Sequence, residues 1–302
     1  MSKNQVDQSR QEVIGVVGLG TMGRGIARVF AVAGYRVLVS DVDQPMLERG
    51  LQEIAEGMDR AVRRGDLDAE ARQIGLARIT ATTSLEELAH CDLIIEAIPE
   101  DIDLKKAAFE SLDAAAKPEA ILATNTSALS ITEIGAATSR PDRVVGLHFF
   151  NPPHRMKLVE VVIGAATSEH AAAEAERVCR EAGKETVRVK DSPGFATSRI
   201  SALIGNEALY MLMDGVATAE DLDKAVRLGL HHPMGPLELG DLVGLDTRLH
   251  VLEHLHRTLG ERFRPCPLLV EYVQAGRLGR KAGIGVYQYD GDGNRLPGPT
   301  KE

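Results

Sequence analysis

The sequence has no tryptophan, few other aromatic residues and only three cysteines, and each shortage excludes a class of protein. Aromatic residues make up 4% of the 302 residues, which is too little for a surface on which nucleic-acid bases stack. The cysteines, Cys91, Cys179 and Cys266, lie far apart and form no CxxC pair. We therefore expect a reducing compartment, with neither a disulfide framework nor a structural zinc site.

Long apolar runs and basic clusters are also missing. No run approaches the ~18 apolar residues of a transmembrane helix, and the polar segment Met1–Glu12 lacks the apolar stretch of a signal peptide. Lys and Arg number 35 against 44 Asp and Glu, which gives a net charge of −9. We expect a cytoplasmic protein without nucleic-acid or membrane partners, in which local positive charges hold any anionic ligand.

The first two-thirds of the sequence alternate between two periodicities, one typical of buried strands and one typical of helices. The predicted strands are Val13–Gly18, Arg36–Ser40, Asp92–Ile98, Ala120–Thr124, Arg143–Phe150, Leu158–Ile163 and Glu185–Val189. The predicted helices between them are Thr21–Ala33, Met46–Arg63, Leu104–Ala116 and Ser168–Glu181. This order predicts βαβ units in an α/β Rossmann-type domain with a mostly parallel sheet.

The pattern changes near residue 191, after which strand alternation stops. Ser192 and Pro193 are predicted to open a helix, as its N-cap and first turn. Thr218 and Asp221 resemble the capping box of the next helix. We predict a Rossmann-type domain over residues 1–191 and an all-α domain over residues 192–302.

The first strand runs into Gly18-Leu19-Gly20-Thr21-Met22-Gly23, which opens the first helix. Such glycines permit a tight turn, close approach of a pyrophosphate and close helix–strand packing. Asp41 ends the second strand, where a carboxylate accepts both ribose hydroxyls and repels a 2′-phosphate. The sequence therefore predicts that these residues bind NAD, with Asp43 as a second choice for the ribose. The alternative is a tight turn followed by a capping acid.

His148 is the candidate base that removal of an alcohol proton requires. It alone among nine histidines ends a predicted parallel strand, where dinucleotide-binding folds place their ligands. If the strands around residues 148 and 160 form a hairpin symmetric about His154, Glu160 lies directly opposite His148 and fixes its tautomer. The alternative is a histidine of the core without a chemical role.

Ser127, just after the strand Ala120–Thr124, is a candidate contact for the substrate oxygen. Its alternative role is the N-cap of the helix that follows. The histidines His250, His254 and His256 lack an HExxH motif or a nearby cysteine, and we expect no metal site.

Seven motifs follow one another along the chain between Val13 and Tyr289. They are the glycine motif, Asn125-Thr-Ser127, Gly146-Leu-His148-Phe-Phe-Asn151-Pro, Leu158-Val-Glu160-Val, Pro193-Gly-Phe, Pro233-Met-Gly-Pro236 and Gly283-Ile-Gly-Val-Tyr287. This combination resembles the L-3-hydroxyacyl-CoA dehydrogenase family. The resemblance implies NAD-linked, reversible oxidation of an (S)-3-hydroxyacyl-CoA and a homodimer formed through the helical domain.

The resemblance also implies roles for individual residues. His148 is the general base, Glu160 its partner, Ser127 a contact of the substrate hydroxyl, and Asn151 lies beside the nicotinamide or the substrate. Positions that line the cofactor cleft in the family correspond to Ala97, Glu100 and Lys105. Arg64, with Arg60 nearby, matches a basic position that contacts CoA, although a solvated helix end is an equal alternative.

One position departs from the family pattern. The family commonly has an asparagine that holds the substrate carbonyl in the helix after Pro-Gly-Phe, and this sequence has Ser198 there. Serine still offers one O–H donor, but its reach is shorter. The alternative is that Ser198 only fills a helix face. Asn206, eight residues on, is not an obvious replacement.

The preferred interpretation is a 3-hydroxyacyl-CoA dehydrogenase acting on short chains. The alternatives are a dehydrogenase of free hydroxy acids such as gulonate or carnitine, a hydroxyisobutyrate-type enzyme with a lysine base, and a crystallin-like protein that binds the cofactor without turnover.

Overall fold

The computed structural model describes residues 12–297 and divides the chain into two compact units, the first ending at Ser192 and the second beginning at Pro193. The strands, all in the first unit, are β1 (Val13–Val17), β2 (Arg36–Ser40), β3 (Ile79–Thr82), β4 (Leu93–Glu96), β5 (Ile121–Thr124), β6 (Val144–Phe149), β7 (Leu158–Ile163) and β8 (Glu185–Lys190). Its α-helices are α1 (Thr21–Val32), α2 (Gln44–Arg64), α3 (Ala69–Ala77), α4 (Ile102–Ala115), α5 (Ile131–Gly135) and α6 (Glu169–Glu181). The second unit contains α7 (Thr197–Met213), α8 (Ala219–Gly229), α9 (Pro236–Val243), α10 (Leu245–Leu259) and α11 (Pro267–Gln274).

The first unit is built on one sheet with the strand order β3-β2-β1-β4-β5-β6-β7-β8. Every neighbouring pair is parallel except β6 and β7. The order reverses between β1 and β4, and ligands of such sheets bind outside the carboxyl ends of the strands at this point. The predicted class, a mostly parallel α/β domain followed by helices, is confirmed.

The sequence prediction lacks α3 and β3, which follow one another along the chain. β3 is the edge strand, and its two central residues, Thr80 and Ala81, are exposed. Gly75 is the only buried residue of α3. Neither element carries a clear apolar periodicity, because so little of either is buried.

The helix after the unit boundary begins later than the sequence predicts. α7 starts at Thr197, since Gly194 and Phe195 have positive φ angles of 73° and 49°. Residues in this left-handed region interrupt a helix, so the predicted helix start at Ser192 is wrong. The predicted cap of α8 is confirmed, because the Asp221 amide donates to Thr218 Oγ1 at 3.2 Å.

The second unit has its own apolar core, to which Leu237, Leu252 and Phe263 belong. The buried carboxylate of Asp241 accepts hydrogen bonds from the amides of Val286 and Tyr287, each at 2.8 Å, and fixes the segment after α11. Within residues 12–297, no helix combines the length and the hydropathy needed to cross a membrane.

Candidate active site

The glycine motif forms the turn between β1 and α1. Gly18 has a φ of 90°, and a Cβ there would lie 2.9 Å from the carbonyl oxygen of Ala97. A Cβ on Gly23 would overlap the carbonyl oxygen of Gly18, so any other residue at either position would disrupt the turn. The Cβ position of Gly20 has no heavy atom within 4 Å. The outer glycines therefore build the turn, and the central one leaves room for a ligand.

The amino end of α1 is not capped by a side chain. Its first residues are Thr21 and Met22, and the N-cap residue Gly20 offers no side-chain acceptor to their N–H groups. The positive end of the helix dipole therefore faces the open space beside Gly20, as a pyrophosphate site requires. The next helix differs, because Asp43 caps α2 by accepting from the Met46 amide at 2.8 Å.

Asp41 lies at the end of β2 beside the glycine turn. Its Oδ2 accepts from the Leu19 amide at 2.6 Å, and its Oδ1 accepts from the Val42 amide at 2.8 Å. These two bonds orient a half-buried carboxylate next to the turn, where an acid accepts ribose hydroxyls in Rossmann folds. The capping role of Asp43 favours Asp41 for this contact. The turn, the uncapped helix and the acid together fit NAD.

His148 and Glu160 lie directly opposite each other on the antiparallel strands β6 and β7. Nδ1 of His148 is 2.7 Å from Oε2 of Glu160, and the two side chains are 8% and 0% exposed. With a carboxylate accepting at Nδ1, the neutral ring carries its proton there and its lone pair at Nε2. The predicted hairpin register is therefore confirmed, and it gives an imidazole oriented by a buried carboxylate.

Ser127 follows β5, the parallel neighbour of β6, so Ser127 and His148 both lie toward the carboxyl ends of neighbouring strands. Its Oγ donates to Oε1 of Glu100 at 3.1 Å, and its amide donates to the same oxygen at 2.8 Å. The following helix, α5, is capped by Ser130, whose Oγ accepts from the Glu133 amide. The alternative interpretation of Ser127 as the N-cap of that helix is therefore wrong.

The loop between β4 and α4 borders the glycine turn, since the Ala97 carbonyl lies against Gly18. Lys105, on α4, is buried, and its Nζ lies 2.7 Å from Oε1 of Glu96 and 3.6 Å from Oε2 of Glu100. Glu96 has no distinguishing signal in the sequence, because it ends a run of apolar residues and a sequence does not reveal which partner a buried acid has.

Asn151 lies in the turn after β6 and is exposed. The peptide bond between Asn151 and Pro152 is cis. Pro153 packs against α1 so closely that a Cβ on Gly25 would lie 2.6 Å from its Cδ. The turn that carries Asn151 is therefore seated on the helix that opens with the glycine motif.

Several cations lie together near the end of α2. Arg60 and Arg64 are about half exposed, and Nε of Arg64 is 2.9 Å from Oδ2 of Asp66. Arg28, on α1, is buried, and its burial and the charge of Arg64 lower its pKa. Burial, together with the charges of Arg28 and Arg64, lowers the pKa of His154 to about 4. Arg28 is not predictable from the sequence as part of this cluster, because it has the spacing of an ordinary residue of α1.

Ser198, the second residue of α7, is half-buried in the second unit. The Asn206 side chain has a structural role there, because it donates to the Arg264 carbonyl at 2.9 Å and accepts from the Cys266 amide at 2.8 Å. Among residues 12–297, no three His, Cys, Asp or Glu side chains are grouped so as to hold a metal ion.

Comparison with known proteins identifies both units. The model of the 3-hydroxyacyl-CoA dehydrogenase NAD binding domain matches residues 13–192, and that of the C-terminal domain matches residues 194–289. The chain is 44% identical over 289 residues to 3-hydroxybutyryl-CoA dehydrogenase of Bradyrhizobium diazoefficiens, covering 95% of this chain and 98% of the relative. It is 46% identical over 277 residues to the probable 3-hydroxybutyryl-CoA dehydrogenase of Bacillus subtilis, covering 91% and 96%.

A solved structure supports the same family assignment. The crystal structure of (S)-3-hydroxybutyryl-CoA dehydrogenase PaaH1 from Ralstonia eutropha superimposes with a TM-score of 0.89 at 41% identity, covering 92% of this chain and 99% of that one. The predicted family and cofactor are confirmed: the chain belongs to the 3-hydroxyacyl-CoA dehydrogenase family and is an NAD-dependent oxidoreductase.

Proposed function

We propose that this enzyme reversibly oxidises short-chain (S)-3-hydroxyacyl-CoA thioesters, such as 3-hydroxybutyryl-CoA, with His148 as the general base. The observation that carries the proposal is the 2.7 Å contact between His148 Nδ1 and Glu160 Oε2 at the carboxyl end of β6. The preference for short chains is supported by the names of the similar enzymes from B. diazoefficiens and R. eutropha.

His148 takes the proton of the substrate hydroxyl at Nε2 and becomes an imidazolium. Held by the glycine turn and Asp41, NAD would supply the acceptor for the hydride that leaves C3 of the substrate. The charge of Glu160 stabilises the imidazolium, and its complete burial strengthens that interaction. In the reverse direction the imidazolium returns the proton to the oxygen of the 3-oxo group.

The remaining polar residues orient the substrate. Ser127, held by Glu100, contacts the oxygen at C3, and Asn151 borders the same region from the turn after β6. Ser198 stands where the family commonly has an asparagine, and its shorter side chain offers one O–H donor. Holding the reacting groups in line supplies a large part of the rate enhancement.

A chain-length series tests the proposed substrate. NADH oxidation is measured with 3-oxoacyl-CoA thioesters of four to sixteen carbons, and kcat/KM should be highest for the four-carbon thioester. A maximum at long chains would contradict the short-chain proposal. Turnover of free gulonate-type or carnitine-type acids instead would favour the non-CoA alternative, and NADH binding without any turnover would favour the crystallin-like alternative.

We further propose that Arg64 holds a phosphate of CoA, with Arg60 and the buried Arg28 adding positive charge. Arg64→Ala should raise KM for acetoacetyl-CoA about tenfold or more, because a charge-assisted hydrogen bond is worth about 1.5–3 kcal/mol. KM for acetoacetyl-pantetheine, which lacks the nucleotide, should stay the same. Arg63→Ala is the matched control, since its exposed side chain leaves the same helix in another direction.

The second unit also supports the proposal of a homodimer. Ile200, Leu228, Leu230, Leu242 and Val243 are large apolar side chains at least 43% exposed in the single chain, and such residues occur at contacts between copies. Light scattering after size exclusion should give twice the mass of 32.6 kDa. A monomer at micromolar concentration would contradict the proposal.

A further inference from the structure

Three charged side chains form a row from the interior of the first unit to its surface, at the carboxyl end of β4. Glu96 is completely buried, and its Oε1 lies 2.7 Å from Nζ of Lys105, which is 1% exposed. The same Nζ lies 3.6 Å from Oε2 of Glu100, whose side chain is 33% exposed. The row therefore combines two negative charges with one positive charge.

The inner pair, Glu96 and Lys105, is satisfied within the protein. Glu96 also accepts from the Ile98 amide at 2.6 Å and from Thr124 Oγ1 at 2.7 Å. Lys105 also donates to the Ile98 carbonyl at 3.2 Å. A buried ion pair persists when its polar atoms have such partners. Because Glu96 neutralises Lys105, the row keeps one net negative charge, and that charge lies on Glu100.

Glu100 is held in a fixed position between the glycine turn and Ser127. Its Oε1 accepts from Thr126 Oγ1 at 2.6 Å as well as from Ser127. Its loop starts at Ala97, whose carbonyl abuts Gly18. The net charge therefore lies at the carboxyl ends of the strands, between the glycine turn and Ser127, where the nicotinamide end of NAD belongs.

We propose that Glu100 makes the site distinguish the oxidised from the reduced cofactor, and that Glu96 enables this by neutralising Lys105. The nicotinamide ring carries a positive charge when oxidised and none when reduced, so a fixed carboxylate stabilises the oxidised form selectively. The inference rests on the proposed function only for the place of the nicotinamide beside Ser127. It requires no particular acyl substrate.

Titration of the full-length protein with NAD+ and with NADH, without acyl-CoA, tests the inference. Glu100→Gln should raise Kd for NAD+ at least about tenfold, because two opposite unit charges within about 10 Å of each other attract by more than about 1.4 kcal/mol at an effective dielectric constant near 20. Kd for NADH should change less than about twofold, because glutamine keeps an acceptor for Thr126 and Ser127. If both constants rise by the same factor, Glu100 only contacts the cofactor and the inference is wrong.

Two control variants separate charge from structure. Glu100→Asp retains the charge and should retain the ratio of the two constants. The double variant Glu96→Gln, Lys105→Met replaces the inner pair by neutral groups and leaves Glu100 charged, so its ratio should also match the wild type. If the ratio of Kd for NAD+ to Kd for NADH shifts in either control variant as much as it does in Glu100→Gln, the charge mechanism is wrong. Because these titrations need no acyl-CoA, failure to reduce 3-oxoacyl-CoA would refute the proposed function without affecting this result.

Discussion

His148→Ala should lower kcat for acetoacetyl-CoA reduction by about 10³-fold, the middle of the range for loss of a general acid–base group. The substitution removes the imidazole that we propose as the general base and leaves the glycine turn and Asp41 unchanged. NADH should therefore bind with nearly unchanged Kd. Steady-state kinetics and NADH fluorescence titration measure the two effects separately.

His250→Gln is the matched control, since His250 is an exposed histidine of α10 in the second unit. Its kcat should equal that of the wild type. A loss of less than about tenfold in His148→Ala, with NADH binding intact, would show that another group supplies the proton.

Asp41→Asn should shift the cofactor preference from NAD toward NADP by about 10²-fold in the ratio of kcat/KM values. The neutral amide no longer repels a 2′-phosphate, and it accepts the ribose hydroxyls less strongly than a carboxylate, a loss of about 1–2 kcal/mol. Asparagine keeps an acceptor for the Leu19 amide, so the glycine turn should retain its structure. Kinetics with saturating acetoacetyl-CoA and varied NADH or NADPH measure the shift.

Asp43→Asn provides the control for this experiment. Asparagine is as good an N-cap as aspartate, so α2 should remain intact and the cofactor preference should stay with NAD. An equal shift in both variants would mean that net charge near the site, rather than the position of Asp41, sets the preference.

The sequence predicts most of the geometry of the candidate site because the elements involved have strong periodicity. β6 and β7 are short, apolar and joined by a short turn. Their antiparallel pairing places Glu160 opposite His148. The glycine motif likewise specifies a turn whose geometry only glycine permits at Gly18 and Gly23. In both places, the local sequence favours the same backbone geometry that the folded structure has.

Other features depend on packing that no local pattern records. Glu96 and Arg28 are charged residues within apolar elements, and only the folded structure shows that they are buried and what they contact. The positive φ of Phe195, which moves the start of α7 to Thr197, is also set by its surroundings. A bulky residue has no intrinsic preference for the left-handed backbone region.

We expect this chain to move hydride between NAD and C3 of an acyl group that is bound as its CoA thioester. The most direct test compares NADH oxidation by the wild-type enzyme with acetoacetyl-CoA and with free acetoacetate. We predict rapid oxidation with the thioester and a kcat/KM lower by at least about 10³-fold with the free acid, because remote binding energy contributes to transition-state stabilisation. Equal rates with both compounds, or turnover of neither while NADH binds, would contradict this function.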